Sequence, residues 1–341
     1  MWRVLDLRRV KLKFAPGLEV EFCDRDRALK QVYEFAERGT AYPIVVYGPE
    51  GCGKTAWLIQ AIEVLKELGF NVIYFNPLRK EFEVDVGVED LKQKALEVLR
   101  RVTSEVELAK LVWLVIDFAN EALRYRKSRL AVIVDDVFQF MGVREAAAIV
   151  KSLLNIIEYP PTSYESIVVL VATSEGVSKR EIGRHRWALI RSMWNMNKDG
   201  FKELYDMIPG PKASFEDIWR LCGGNPDILR RLYQAYWNVE HIVKDFITSK
   251  DISKDFIVKW RLWLEKAVED PDIINEGEFP DGLREELIEK NFIFYIYFRD
   301  LELWIDEPPP RKNLDIGVSE YVAWQTPLHR EVIKKALEMY K

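Results

Sequence analysis

The sequence predicts an α/β protein: a mostly parallel sheet sandwiched by helices, followed by a helical lid and a small winged-helix-like C-terminal unit. Three observations predict it. Over roughly the first two hundred residues, short Val- and Ile-rich runs alternate with helical patterns. Past residue 200 the strand signals stop and helices take over. Near Pro271 the composition shifts again, and a helix, paired strands and a second helix follow before the chain ends. The 341 residues thereby divide into 1–200, 201–268 and 269–341.

In chain order, a helical pattern at 27–38 precedes the apolar run 44–47. A helix at 54–68 leads to a strand at 72–75, and helices at 88–102 and 107–125 lead to a strand at 130–134. A helix at 144–157, a strand at 167–172 and a weaker strand at 187–191 complete this part. The first four strand runs are continuously apolar, as strands covered on both faces should be. The charged stretch 92–101 reads as a solvated helix face. Helices are then expected at 202–207, 214–220, 227–236 and 253–268. Ile208-Pro209-Gly210-Pro211 and Gly223-Gly224-Asn225-Pro226 supply turn chemistry between them. The last part reads as a helix at 282–290, an aromatic strand run at 292–298, a second run at 301–305 and the loop Pro308-Pro309-Pro310. A strand at 321–324 and a closing helix at 327–339 end it. Tyr295, Tyr297, Trp304 and Trp324 are expected as core and strand-face residues.

Composition excludes several classes. Hydrophobic residues make up 48% and charged residues 31%, the balance of a soluble globular chain. No apolar run approaches the roughly 20 residues of a membrane span. The first residues lack an apolar core followed by small residues, so no signal peptide is expected and the compartment predicted is the cytoplasm. Cys23, Cys52 and Cys222 are too scattered for a disulfide framework or a zinc site. His185, His241 and His329 are equally dispersed, so each is expected to be a satisfied or surface histidine. Abundant Lys and Glu with scarce Gln is a thermophilic bias. The net charge is −5, with −8 in residues 267–341 and +3 in the remainder. That balance gives no basic field for nucleic acid.

The chemistry concentrates at Gly48-Pro49-Glu50-Gly51-Cys52-Gly53-Lys54-Thr55, which fits G-x-x-x-x-G-K-[ST] between a buried strand and a helix that continues through Ala56. Glycines there let backbone N–H groups close around phosphate oxygens, and the helix adds its positive end. Lys54 is placed to reach β- and γ-phosphates and Thr55 to hold magnesium. Cys52, at a loop feeding a helix, is also read as a candidate reactive thiol. The 130–134 strand ends in Asp135-Asp136. Asp135 is assigned to the magnesium and Asp136 to the attacking water. Thr173, at the end of the next strand, is a candidate γ-phosphate sensor. Arg180, Arg184, Arg186 and Arg191 follow, and Arg184 is the preferred transition-state cation. Asn197-Lys198-Asp199-Gly200 lacks the carboxylate of a guanine-reading NKxD motif, so ATP is expected rather than GTP.

Four segments carry a resemblance. Phe22-Cys23-Asp24-Arg25-Asp26-Arg27-Ala28-Leu29 resembles F-x-GRE-x-E-L with Asp24 in the glycine place. Asp135-Asp136-Val137-Phe138-Gln139 resembles a D-E-x-Q Walker B segment. Ile182-Gly183-Arg184 resembles a post-sensor G-R step, and Cys222-Gly223-Gly224-Asn225-Pro226 resembles a GGNP lid motif. Together they resemble archaeal P-loop ATPases of the STAND class, related to AAA+ proteins, with a C-terminal winged helix. The resemblance implies a P-loop NTPase of the ASCE, AAA+-like type and a magnesium-dependent ATPase that holds ATP or ADP. It further implies that Arg25 and Pro226 sit beside the nucleotide. It implies that lid and C-terminal unit move with nucleotide state, and that a protein partner or self-association engages the C-terminal domain. Asp136 is one methylene shorter than the usual Glu, which predicts slow turnover.

Two other readings stand beside this one. In the first, the winged unit docks on DNA and ATP is ancillary. The helix at 282–290 sets Glu285, Glu286 and Glu289 against Arg284 and Lys290, which opposes phosphate binding. Salt-dependent retention on duplex DNA separates the two. In the second, the chain is a small-molecule kinase, a reading that paired carboxylates at a strand tip and a GGNP lid disfavour.

Overall fold

The computed structural model describes residues 8–76, 81–85, 93, 105–125, 128–140, 143–174, 182–210 and 212–341. The chain forms two compact units. Among the described residues, the first takes Arg8–Val10, Asp26–Tyr47 and those within Lys54–Ser192; the second takes Lys11–Arg25, Gly48–Gly53 and those within Met193–Lys341.

The first unit is an α/β sheet with helices on its faces. Its strands lie in the spatial order Leu189–Met193, Ile44–Tyr47, Ser166–Thr173, Arg129–Asp135, Asn71–Asn76 and Glu81–Asp85. The first five run parallel, and Glu81–Asp85 pairs antiparallel at the edge. Every residue of Ser166–Thr173 is buried, which is why its sequence reads as an unbroken apolar run. Successive side chains alternate faces. Val132, Val134, Val169 and Val171 pack with Ala119 and Leu123 of the Glu105–Arg124 helix and with Ile149 and Leu153 of the Val143–Glu158 helix. The intervening Ala131 and Ile133 belong to the opposite face, where the helices Asp26–Arg38 and Lys54–Glu67 contact the sheet. Trp57 joins those two helices, donating its indole N–H to the Ala28 carbonyl at 3.4 Å.

The expected elements of this unit form within a residue or two of their expected ends wherever the residues are described. The helix expected at 88–102 and the charged face at 92–101 lie, apart from Gln93, outside the described residues. The weak strand expected at 187–191 forms instead at Leu189–Met193, because Trp187 stacks on His185 in the preceding turn, 4.0 Å between ring centroids. The edge strand Glu81–Asp85 was not expected from the sequence: it alternates strictly, but five residues with only two apolar ones make a weak strand signal.

The second unit opens with the hairpin Lys11–Ala15 and Leu18–Glu21. Helices Lys198–Met207, Phe215–Cys222, Pro226–Gln234, Val239–Ser249 and Lys254–Glu269 follow. Asp281–Glu289, the antiparallel strands Ile293–Tyr295 and Val322–Trp324, and the helix Pro327–Met339 complete it. One continuous apolar cluster joins Ile218, Leu229, Phe246 and Ile257 to Leu283, Phe292, Trp324 and Val332. The helical region after residue 200 and the C-terminal elements therefore share a core. The aromatic run 292–298 is a strand only over Ile293–Tyr295. Its partner ends early because the Glu320, Tyr321 and Val322 amides donate to the Asp272 carboxylate at 3.0, 2.9 and 2.8 Å. The run expected at 301–305 is a 3-10 turn at Leu301–Leu303 and a strand only at Trp304–Ile305. The turn closes when the Leu303 N–H donates to the Asp300 carbonyl at 2.9 Å.

Candidate functional site

In the first unit the candidate chemistry gathers at the carboxyl ends of three adjacent strands. Asp135 ends its strand fully buried, in register with Ala172, and Thr173 pairs across to Tyr47. Thr173 therefore stands between the strand that feeds the Gly48–Thr55 loop and the strand that ends in Asp135. Asn76 donates to Asp135 Oδ2 at 2.9 Å and the Tyr74 hydroxyl at 3.4 Å, two residues apart on one face of their strand. Asp135 Oδ1 is buried without a hydrogen-bond partner of good geometry among the described residues. Burial lifts this carboxyl to about 6, the Asp136 charge adds to the rise, and the Thr55 hydroxyl, Asn76 amide and Lys54 ammonium oppose it. Such a carboxylate is electron-rich, desolvated and short of a donor. With the Thr55 hydroxyl it makes an all-oxygen set, which suits a hard divalent cation. Asp136 is half-buried and holds φ +51°, a left-handed conformation uncommon outside glycine that turns the chain sharply at the strand tip. Lys54 opens the helix Lys54–Glu67 and is buried, while Thr55 and Ala56 are half-buried beside it.

In the second unit the Gly48–Gly53 segment is clamped from several sides. Gly51 holds φ +74°, and a Cβ there would stand 2.3 Å from Asp227 Cβ, so both backbone angle and space require glycine. The Cys222–Pro226 segment explains itself locally. Gly223 closes the helix Phe215–Cys222, and Gly224 passes so close to Met196 that a Cβ would lie 2.0 Å from its carbonyl oxygen. Asn225 caps the next helix by accepting from the Asp227 and Ile228 N–H groups, both at 3.1 Å, and Pro226 takes the first helical position. The Asn225 amide donates to the Glu50 carbonyl at 2.9 Å. Pro49 is buried, and the exposed Glu50 carboxylate pairs with Lys250 at 3.3 Å.

Arg25 is buried, and its guanidinium donates to the carbonyls of Cys52 and Trp194, each at 2.8 Å, and to Asp306 Oδ2 at 2.8 Å. Burial opposes its charge, yet Asp306 leads the effects that hold the guanidinium more firmly protonated than usual. Asp24 and Arg25 sit at φ +60° and +64°, which gives a physical reason for glycine at the first of these places in the resembling family. Asp is among the residues that tolerate such an angle.

Arg184 and Arg186 are exposed in the turn before Leu189–Met193, Arg191 is half-buried on that strand, and Arg180 lies outside the described residues. The Cys52 side chain is fully buried and its thiol donates to the Met193 carbonyl at 3.8 Å, which corrects the expectation of a reactive, accessible thiol. Asn197 caps the helix Lys198–Met207 by accepting from the Gly200 N–H at 2.9 Å, so the Asn-Lys-Asp-Gly segment is a helix start. Sequence reasoning missed Asn76, Asn195, Asp306 and Gln325. Asn76 alone carried a legible signal, a polar residue directly after an apolar strand.

Residues 22–232 match the profile of an ATPase domain predominantly from Archaea. No curated protein matches the chain. Solved structures with a similar course include a replication initiator DnaA bound to AMPPCP and single-stranded DNA. It is 17% identical over 71% of this chain and 73% of that one, with a TM-score of 0.36. AMPPCP-bound DnaA from Aquifex aeolicus is 17% identical over 75% of this chain and 73% of that one, with a TM-score of 0.35. Drosophila ORC bound to DNA is 14% identical over 93% of this chain and 87% of that one, with a TM-score of 0.34.

Proposed function

Because the chain belongs to the ATPase domain family found predominantly in Archaea, we propose that it binds ATP with magnesium at Gly48–Thr55 and hydrolyses it slowly with water to ADP and phosphate. The observation that carries this reading is the buried Asp135 carboxylate at its strand tip, with the Thr55 hydroxyl and Lys54 ammonium acting on it. Thr55 and Asp135 would hold the magnesium, which when bound supplies charge neutralisation to the phosphates. The Gly48–Ala56 segment wraps the phosphates, with the backbone N–H groups from Gly53 through Ala56 turned to their oxygens, and Lys54 neutralises the β- and γ-oxygens. Asp136 orients the attacking water, Thr173 contacts the γ-phosphate, and the Arg184 guanidinium stabilises charge that accumulates there. Pro226 borders the nucleotide. Arg25 shares that border in a supporting role, since its donors hold the Cys52 carbonyl.

We further assign the chain to the STAND class. On this reading its nucleotide state drives a lid at 201–268 and a winged-helix-like domain at 269–341, which engages a protein partner or a second copy. The shared apolar core of these two parts favours their moving together. A cytoplasmic site of action goes with this reading, and among the described residues no helix is long and apolar enough to cross a membrane. DNA docking by the helix Asp281–Glu289 is not favoured, because its nearby cations are engaged. Arg284 donates to the carbonyls of Ile274, Glu276 and Phe279 at 3.0, 2.9 and 3.3 Å, and Lys290 donates to that of Lys250 at 2.9 Å.

Equilibrium titration with ATP and GTP, with and without magnesium, tests the site. Magnesium-dependent binding that prefers ATP and weakens about tenfold or more in Lys54→Ala and Asp135→Asn is expected, the scale of a lost charge-assisted contact. Binding indifferent to magnesium and to both substitutions would overturn the assignment.

A further inference from the structure

The peptide groups of Glu50, third residue of the phosphate loop, are held on both sides by side chains from distant parts of the chain. Its N–H donates to Gln325 Oε1 at 2.9 Å, and its carbonyl accepts from Asn225 Nδ2 at 2.9 Å. The two holders are themselves joined. Asn225 Nδ2 also donates to Asn195 Oδ1 at 2.8 Å, and Asn195 Nδ2 donates to the Gln325 backbone carbonyl at 2.8 Å. The four residues close a ring of hydrogen bonds. Asn195, Asn225 and Gln325 are all buried, which shields the bonds among them from water.

Gln325 is the least expected member. It follows the strand Val322–Trp324 and precedes the closing helix, and its own N–H is fixed by the Phe292 carbonyl at 2.8 Å. Its side-chain Nε2 is buried with no hydrogen-bond partner among the described residues. A buried amide with its donor end unmet is costly, and an apolar side chain would fill the same space without that cost. What the amide supplies in return is its oxygen, aimed at the Glu50 N–H.

We propose that Gln325 is a positioning residue for the phosphate loop. Through the Glu50 N–H it fixes the peptide at the start of the Gly51–Lys54 turn, and so ties polyphosphate affinity to the seating of the C-terminal segment. This rests on the reading that Gly48–Thr55 binds a nucleoside triphosphate. Loss of one buried acceptor is worth about three- to tenfold in affinity.

The experiment titrates the full chain with magnesium and AMPPCP, and separately with AMP, in wild type, Gln325→Met, Asn195→Ala and the double variant. Gln325→Met is expected to raise the Kd for AMPPCP about three- to tenfold, leaving the AMP Kd and the melting temperature of the unliganded chain in place. Asn195→Ala moves AMPPCP affinity in the same direction, and the double variant falls short of the product of the single effects because the ring acts as one unit. Either single variant suffices if the other fails to fold. AMPPCP affinity that is unchanged or tighter in the folded variants, or that weakens equally for AMP, overturns the proposal. A wild-type chain that binds no AMPPCP overturns the nucleotide reading itself, and this one with it.

Discussion

At the scale of single residues, His329 shows how burial replaces chemistry. Its Nδ1 lies 2.8 Å from the Thr326 hydroxyl, and the Phe246 and Phe292 rings stand edge-on at 5.3 and 5.4 Å. Burial, with Lys250 and Arg231 facing it against one carboxylate, Asp227, depresses its pKa from 6.5 to about 3. The unfolded chain therefore takes up the proton first as pH falls. Its contribution to stability is fully present above about 6.5 and is lost as pH drops toward 3, at about 1.4 kcal/mol per pH unit. Denaturant titrations at pH 6.5 and 4.5 should show wild type losing about 2–3 kcal/mol more than His329→Gln over that interval. Parallel losses would contradict the buried neutral imidazole. The sequence left this histidine as either satisfied or surface, because it has no ligand-spaced neighbours, and the fold makes it buried and satisfied. It could not reveal Arg25 as a clamp, since its partners Cys52, Trp194 and Asp306 are brought to it only by the folded chain.

At the scale of elements, apolar runs and turn residues were legible wherever burial was two-sided or a cap was present. The strand Ile44–Tyr47 and the helix Pro327–Met339 fall where the sequence puts them. The helix Val239–Ser249 does not announce itself, because five of its eleven residues are β-branched and lower its helical propensity. Asn238 accepting from the His241 N–H, and the buried stripe of Ile242, Val243, Phe246 and Ile247, stabilise it instead. The short pair of strands near the C-terminus depends on Asp272, a side chain some fifty residues away in sequence. Asp272→Ala removes the acceptor for three amides, and a loss of about 2–3 kcal/mol is expected. Hydrogen exchange at Tyr321 and Val322 should accelerate in step. Unchanged protection there would show that the strand holds without the carboxylate.

At the scale of the whole molecule, the motif spacing disclosed the α/β class. It did not disclose that the chain is interlaced, with Lys11–Arg25 and Gly48–Gly53 counted in the unit that contains Met193–Lys341. Contiguous segments such as 1–200 are what sequence composition can delimit, whereas compactness is decided by contacts between segments far apart in sequence. The consequence for function is specific. The Glu50 peptide is fixed by Asn225 and Gln325, so the groups that shape this segment come from residues far along the chain. Asp136, a short and conformationally constrained carboxylate at φ +51°, predicts slow turnover. The measurement that tests this account most directly is phosphate release from magnesium-ATP by the purified chain, beside Lys54→Ala and Asp136→Asn. Slow release in wild type that both substitutions abolish is the predicted result. Release that persists in both variants, or a wild type that neither releases phosphate nor binds ATP, would contradict it.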